Sequence, residues 1–185
     1  PPKEKSVGGM FGFNQGYTVN SYSRANVTTT NARSTGSLVG IATVYIGNSY
    51  ATGDVTTTSG SFVSFTGGFA GESWGIVARS QAYGNVSGTG LVGGFIGEVT
   101  SGSNVFTSSA SGSVTLTNSD PTLGRAGGFA GEIWGAVLYS SSSGYVSSTT
   151  GSTERLGGFA GATVAVLHAF SIFNSFNIDT AGISH

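Results

Sequence analysis

Three glutamates, Glu72, Glu98 and Glu132, each follow a Gly-Gly-Phe-x-Gly element, at Gly71, Gly97 and Gly131. In a repeating fold this places them one above another. Like charges roughly 5 Å apart repel by about 3 kcal/mol per adjacent pair at an effective dielectric near 20. Something must relieve that repulsion. The options are splaying into water, protonation of the middle Glu98, an arginine, or a hard cation such as Ca²⁺. Solvated corner residues are the plain expectation. Ca²⁺ wants six or more oxygens, and few other carboxylates lie nearby in sequence. Glu72, Glu98 and Glu132 are therefore only a weak candidate for a metal, and no cofactor is expected. The same row is where a solenoid that cleaves glycans would keep its acid/base pair.

A second pattern is made of hydroxyls. Around a recurring Val the chain reads Thr28-x-Thr30, Thr56-x-Thr58, Ser87-x-Thr89, Thr115-x-Thr117 and Ser147-x-Thr149. If the Val points inward, strand alternation sends both flanking hydroxyls outward. This grid resembles the Thr-x-Thr faces of ice-binding β-solenoids, which would make ice a ligand. A plain Thr-rich outer strand, favoured by β-propensity, gives the same pattern. The turns that follow the grid are unequal, with Val-to-next-Gly distances of 9, 12, 7, 13 and 11 residues, and would roughen one edge of a flat face.

Other short matches dissolve on inspection. Gly71-Glu72-Ser73-Trp74-Gly75 has the form of a nucleophile elbow, but the equivalent Gly131-Glu132-Ile133-Trp134-Gly135 has Ile133 in the Ser place. Gly88-Thr89-Gly90-Leu91-Val92-Gly93 has dinucleotide-loop spacing without the helix that would meet a pyrophosphate. His168 lies in an apolar run and His185 is terminal; with no Cys, a transition-metal site has too few ligands. Trp74 and Trp134 are expected to fill a solenoid corner; exposed, they would stack on sugar rings. Asn26-Val27-Thr28 and Asn85-Val86-Ser87 have the N-glycosylation pattern and overlap the hydroxyl grid.

What positions these residues is a repeat. A Gly-x-hydrophobic-x-Gly signature starts at residues 8, 36, 67, 93, 127 and 157. A period near 30 residues means stacked structural units. No segment sustains helical periodicity, and each Gly would weaken a helix by about 1 kcal/mol. Short β-branched runs between Gly corners fit roughly three strands per coil, in repeat three at 68–71, 76–80 and 84–89. Equivalent residues then form columns about 4.8 Å apart. Met10, Leu38, Phe69, Phe95, Phe129 and Phe159 make one; Val27, Val55, Val86, Val114, Val146 and Ile178 make another. A Ser column (Ser21, Ser49, Ser80, Ser108, Ser140) and a small column (Ala25, Gly53, Gly84, Gly112, Gly144) complete the frame. In repeat six, Ile172 and Phe176 break these last two.

Gly36-Ser37-Leu38-Val39-Gly40, followed by Asn48-Ser49-Tyr50-Ala51-Thr52-Gly53-Asp54-Val55, resembles the GLUG motif, a Gly-Leu-x-Gly repeat of secreted bacterial proteins. The resemblance runs from about Val7 to Ile178, with Phe or Met in place of the family Leu in most units. It implies a parallel β-solenoid on a secreted or cell-surface protein, and no catalytic residues.

Bulk properties agree. The 185 residues carry 8% charged residues, a net charge of −1 and 32 glycines. Seven Lys plus Arg leave no basic footprint for nucleic acid, and no apolar run is long enough for membrane insertion as a helix. The expected fold is all-β: a single-domain parallel β-solenoid (β-helix) of about six coils over residues 7–178, with tails at 1–6 and 179–185. The expected function is non-catalytic, structural or adhesive. Variable loops at 31–35, 59–66, 118–126 and 150–156 would meet a surface ligand, or the solenoid ends, apolar through Ile178, would self-associate.

Overall fold

The computed structural model describes residues 5–58, 63–117, 124–149 and 155–164. The chain is a single all-β domain, a parallel β-solenoid. It has five complete coils and the first two strands of a sixth among the described residues. Coil 1 carries β1 (Ser6–Gly8), β2 (Phe11–Asn14), β3 (Tyr17–Val19), β4 (Tyr22–Ser23) and β5 (Val27–Thr30). Every later coil repeats this order, and equivalent strands pair in parallel to build five sheets, A to E, named after β1 to β5. The three strands expected in repeat three correspond to Ala70–Ser73, Ile76–Ala78 and Val86–Gly88; two further short strands, Phe65–Gly67 and Gln81–Ala82, pair in the same way. The repeat-six columns beyond Val164, including Ile178, and the tail 179–185 lie outside the described residues.

The columns are real registers. Val27, Val55, Val86, Val114 and Val146 pair in sheet E. Phe69, Phe95, Phe129 and Phe159 stack with ring centroids 4.7, 4.9 and 4.9 Å apart. Each such contact adds about 0.5–1.5 kcal/mol beyond burial. The Ser column is a ladder: the N–H of Ser21, Ser49, Ser80 and Ser108 donates to the Oγ of the Ser in the next coil. Each Oγ in turn donates to the carbonyl two residues earlier. The residue just before each Ser (Asn20, Asn48, Arg79, Thr107, Tyr139) has φ between 48 and 52°. This left-handed corner is costly for residues other than Gly and Asn, and the ladder beside it holds it in place.

Two apolar cores run along the stack. One lies between the Phe column and sheets B, C and D, the other between sheets E and A. They are separated where sheets A and B meet back to back. A Cβ at Gly71, Gly97 or Gly131 would come within 2.5, 2.5 and 2.6 Å of the backbone nitrogens of Thr35, Thr66 and Val92 in the preceding coil. Only glycine permits this approach. It is also what brings the glutamates, one residue later, against the start of sheet A.

Candidate functional site

Sheet B pairs Glu72 with Glu98 and Glu98 with Glu132, so the three carboxylates form a row on consecutive coils. They are not uniformly solvated. Glu72 and Glu132 are buried, at 1% and 4% exposure, which corrects the expectation of solvated corner residues. The partners come from sheet A, from the residue leading into it and, for Glu72, from Trp74 just past its own strand. Arg33 Nε lies 3.4 Å from Glu72 Oε1. Ser34 Oγ donates to the same oxygen, and Trp74 Nε1 donates to Oε2 at 3.0 Å. Arg125 Nη1 lies 2.5 Å from Glu132 Oε2.

Glu98 is different. In the coil below, sheet A offers Phe65 where Glu72 meets Ser34. Glu98 has no hydrogen-bond or ion-pair partner among the described residues and is only partly exposed. Burial, then the charges of Glu72 and Glu132, push its carboxyl up to about 7, against weaker opposition from Arg33 and Arg125. The row thus resolves its repulsion unequally: two members are neutralised by guanidinium groups and the middle one leans toward protonation. No group of three acidic, His or Cys side chains among the described residues is arranged to hold a metal ion. Glu72, Glu98 and Glu132 therefore do not converge as a cation site.

Ser73 is buried in its strand, with Oγ 2.8 Å from Ser103 Oγ. It pins coil 3 to coil 4. The stretch from Gly88 to Gly93 runs from strand through Gly90, at φ 80°, directly into strand Leu91–Gly93. His168 and His185 lie outside the described residues. Asn26 and Asn85 each use Oδ1 to accept an N–H from the next coil, that of Asp54 and of Ser113.

The hydroxyl grid is half regular. Thr28, Thr56, Ser87, Thr115 and Ser147 pair in one register across sheet E. Thr28 and Thr56 are exposed, the other three half-buried. The second column fails as a uniform row. Thr30 and Thr58 end four-residue strands, whereas the strands at Val86–Gly88, Val114–Leu116 and Val146–Ser148 stop one residue short. Thr89 is covered by Ser64, whose Oγ donates to the Thr89 carbonyl at 2.5 Å. Thr58, Thr117 and Thr149 alike turn their Oγ1 onto a carbonyl of the preceding coil, those of Thr29, Gly88 and Leu116. At the ends of the connections from sheet E to sheet A, Ser34, Thr35, Thr66 and Ala126 are buried sheet A residues, whereas Asn31 and Arg155 are exposed. Residues 59–62, 118–123 and 150–154 lie outside the described set.

Sequence reasoning missed the arrangement around coil 1. Met10, Phe11, Phe13, Tyr17, Val19 and Tyr22 are 39–82% exposed. Tyr17 lies against Tyr45 and Tyr22 stacks on Tyr50, with ring centroids at 5.9 and 5.2 Å, and Arg24 sits over Tyr22. Trp74 and Trp134 are also exposed, at 49% and 43%, rather than filling a corner. No family model, curated protein or solved structure matches the chain.

Proposed function

We propose that the protein is a non-catalytic structural or adhesive β-solenoid of a secreted or cell-surface setting, and that its first coil joins the β-edge of a second copy. One observation carries this reading. Among the described residues, all five strands of coil 1 are terminal in their sheets, and six large apolar side chains of that coil are exposed. Such an edge is a template for strand addition. The described strands of the sixth coil, Arg155–Gly157 and Ala160–Thr163, form the opposite ends of sheets A and B and keep the same registers, which supports their addition to this edge. The low charge, the Ser/Thr/Gly-rich surface and the resemblance to GLUG-motif repeats support the setting. The test is mass by light scattering over a wide concentration range. Association should rise with concentration and be lost in Phe11→Lys/Val19→Lys; a wild-type chain that stays monomeric at millimolar concentration contradicts the reading.

A second reading, ice binding through sheet E, is favoured by the first hydroxyl column, which keeps one register over five coils. Thermal hysteresis should then be present and fall sharply in Thr56→Tyr. Hysteresis unchanged by that substitution removes the idea.

A further inference from the structure

Trp74 and Trp134 occupy the same register position two coils apart. Their backbone N–H groups donate to the carbonyls of Ala42 and Val99, and that of Thr100, between them, donates to Ser73. Two coil heights put the attachment points of the indoles about 9.6 Å apart along the stack. Each indole is exposed although the residue before it, Ser73 or Ile133, is buried. The Trp74 ring is also fixed, through its Nε1 bond to the buried Glu72. A pre-set aromatic surface of this kind loses little freedom on binding.

Thr100 stands between the two tryptophans in register, and Glu98 precedes it in the strand that leads to it; both have unused polar capacity. Glu98, two residues before Thr100, has no hydrogen-bond or ion-pair partner among the described residues. Thr100 Oγ1 donates to the Ser73 carbonyl at 2.9 Å and keeps its lone pairs free to accept. Directly after Thr100 comes an exposed turn, Ser101–Gly102, with Gly102 at φ 87° and open space around it.

The ligand that fits must offer an apolar face at both ends and hydroxyl groups in the middle. A saccharide does so: its C–H faces stack on indole, and its hydroxyls both donate and accept. We propose that Trp74, Glu98, Thr100 and Trp134 form a binding site for a linear neutral glycan lying along the stack axis. The outer sugars rest on the two indoles and the middle sugar meets Glu98 and Thr100. A carboxyl titrating near 7, as Glu98 does, can both accept from and donate to a sugar hydroxyl at neutral pH. The site is independent of coil 1, so its failure would leave end association untouched, and the reverse.

Intrinsic tryptophan fluorescence, titrated with cello-, xylo- and chito-hexaose, tests it. At least one hexaose should give a saturable change, bind more tightly than its disaccharide, and weaken at least about tenfold in Trp74→Ala and in Trp134→Ala. Glu98→Ala should weaken it about three- to tenfold. Trp134→Phe, which keeps a ring, should fall between wild type and Trp134→Ala, with the circular dichroism spectrum unchanged in each variant. The proposal is overturned if no hexaose saturates at millimolar concentration, or if binding survives both Trp→Ala changes. It is also overturned if only tetramethylammonium changes the fluorescence, which would mark a cation cage instead.

Discussion

Coil 1 and coil 3 are written on the same columns, yet among the described residues only coil 3 has a neighbouring coil on both sides. In sheet B, Phe11 and Phe13 of coil 1 share columns with Ala70 and Glu72 of coil 3. The two phenylalanines are 40% and 46% exposed; the alanine and the glutamate are at most 1% exposed. The largest apolar side chains of sheet B therefore stand at the coil 1 end, and a carboxylate is buried in its middle. Burial in this molecule follows from position in the stack more than from residue type. A coil of a solenoid cannot hide its own faces; its neighbours do so.

The sharpest way to break the comparison is to hollow the Phe column. Phe95→Ala, in the middle of the stack, should cost about 3–5 kcal/mol in denaturant unfolding, whereas Met10→Ala, in the same column at the open end, should cost under about 1 kcal/mol. Equal losses would mean that coil 1 is covered after all. Next comes the backbone approach. A Cβ at Gly84 would sit 2.1 Å from the Gly53 carbonyl oxygen, while one at Gly16 meets nothing within 4 Å. Gly84→Ala should cost about 1–3 kcal/mol, and Gly16→Ala no more than about 0.5 kcal/mol.

Glu98 supplies a smaller effect with a definite sign. Its carboxyl is raised from 4.5 to about 7 in the folded chain. Between these values the folded state binds the proton and the unfolded state does not. The associated stability is therefore full below about 4.5 and lost as pH rises through about 7. Glu98→Gln should raise stability at pH 8 by on the order of 1 kcal/mol, a figure reduced for solvent screening of a half-exposed group, and should flatten the pH profile across this window. A profile identical to wild type would show that Glu98 has the same environment folded and unfolded. Smallest is the outer face of sheet E. Thr56→Ala should stay within about 0.5 kcal/mol, against about 1 kcal/mol for its neighbour Thr57→Ala, which loses a buried bond to Thr66.

The periodic part of this architecture was legible in the sequence because a column writes itself once per coil. The Val, Phe, Ser and small columns, the Glu row and the first hydroxyl column all emerge from alignment of the repeats. What was not legible depends on contacts that occur once. Arg33 reaches Glu72 from 39 residues away, while Arg125 reaches Glu132 from seven, and the two arginines do not share a column. The burial of Glu72 and Glu132 therefore had no repeat signal. The same holds for Ser64 over Thr89, which comes from a single long connection. The exposure of Trp74 and Trp134 followed neither from their neighbours Ile76 and Val137 nor from hydrophobicity, because the indoles sit just past a glycine-pinched strand whose next residue is already outside the core.

The open edge of coil 1 is best tested by sedimentation velocity of the wild-type chain beside Phe11→Lys/Val19→Lys across the same concentrations. The predicted result is a sedimentation coefficient that climbs with concentration in the wild type and stays at the monomer value in the double variant. Two monomers with indistinguishable coefficients throughout would contradict the account.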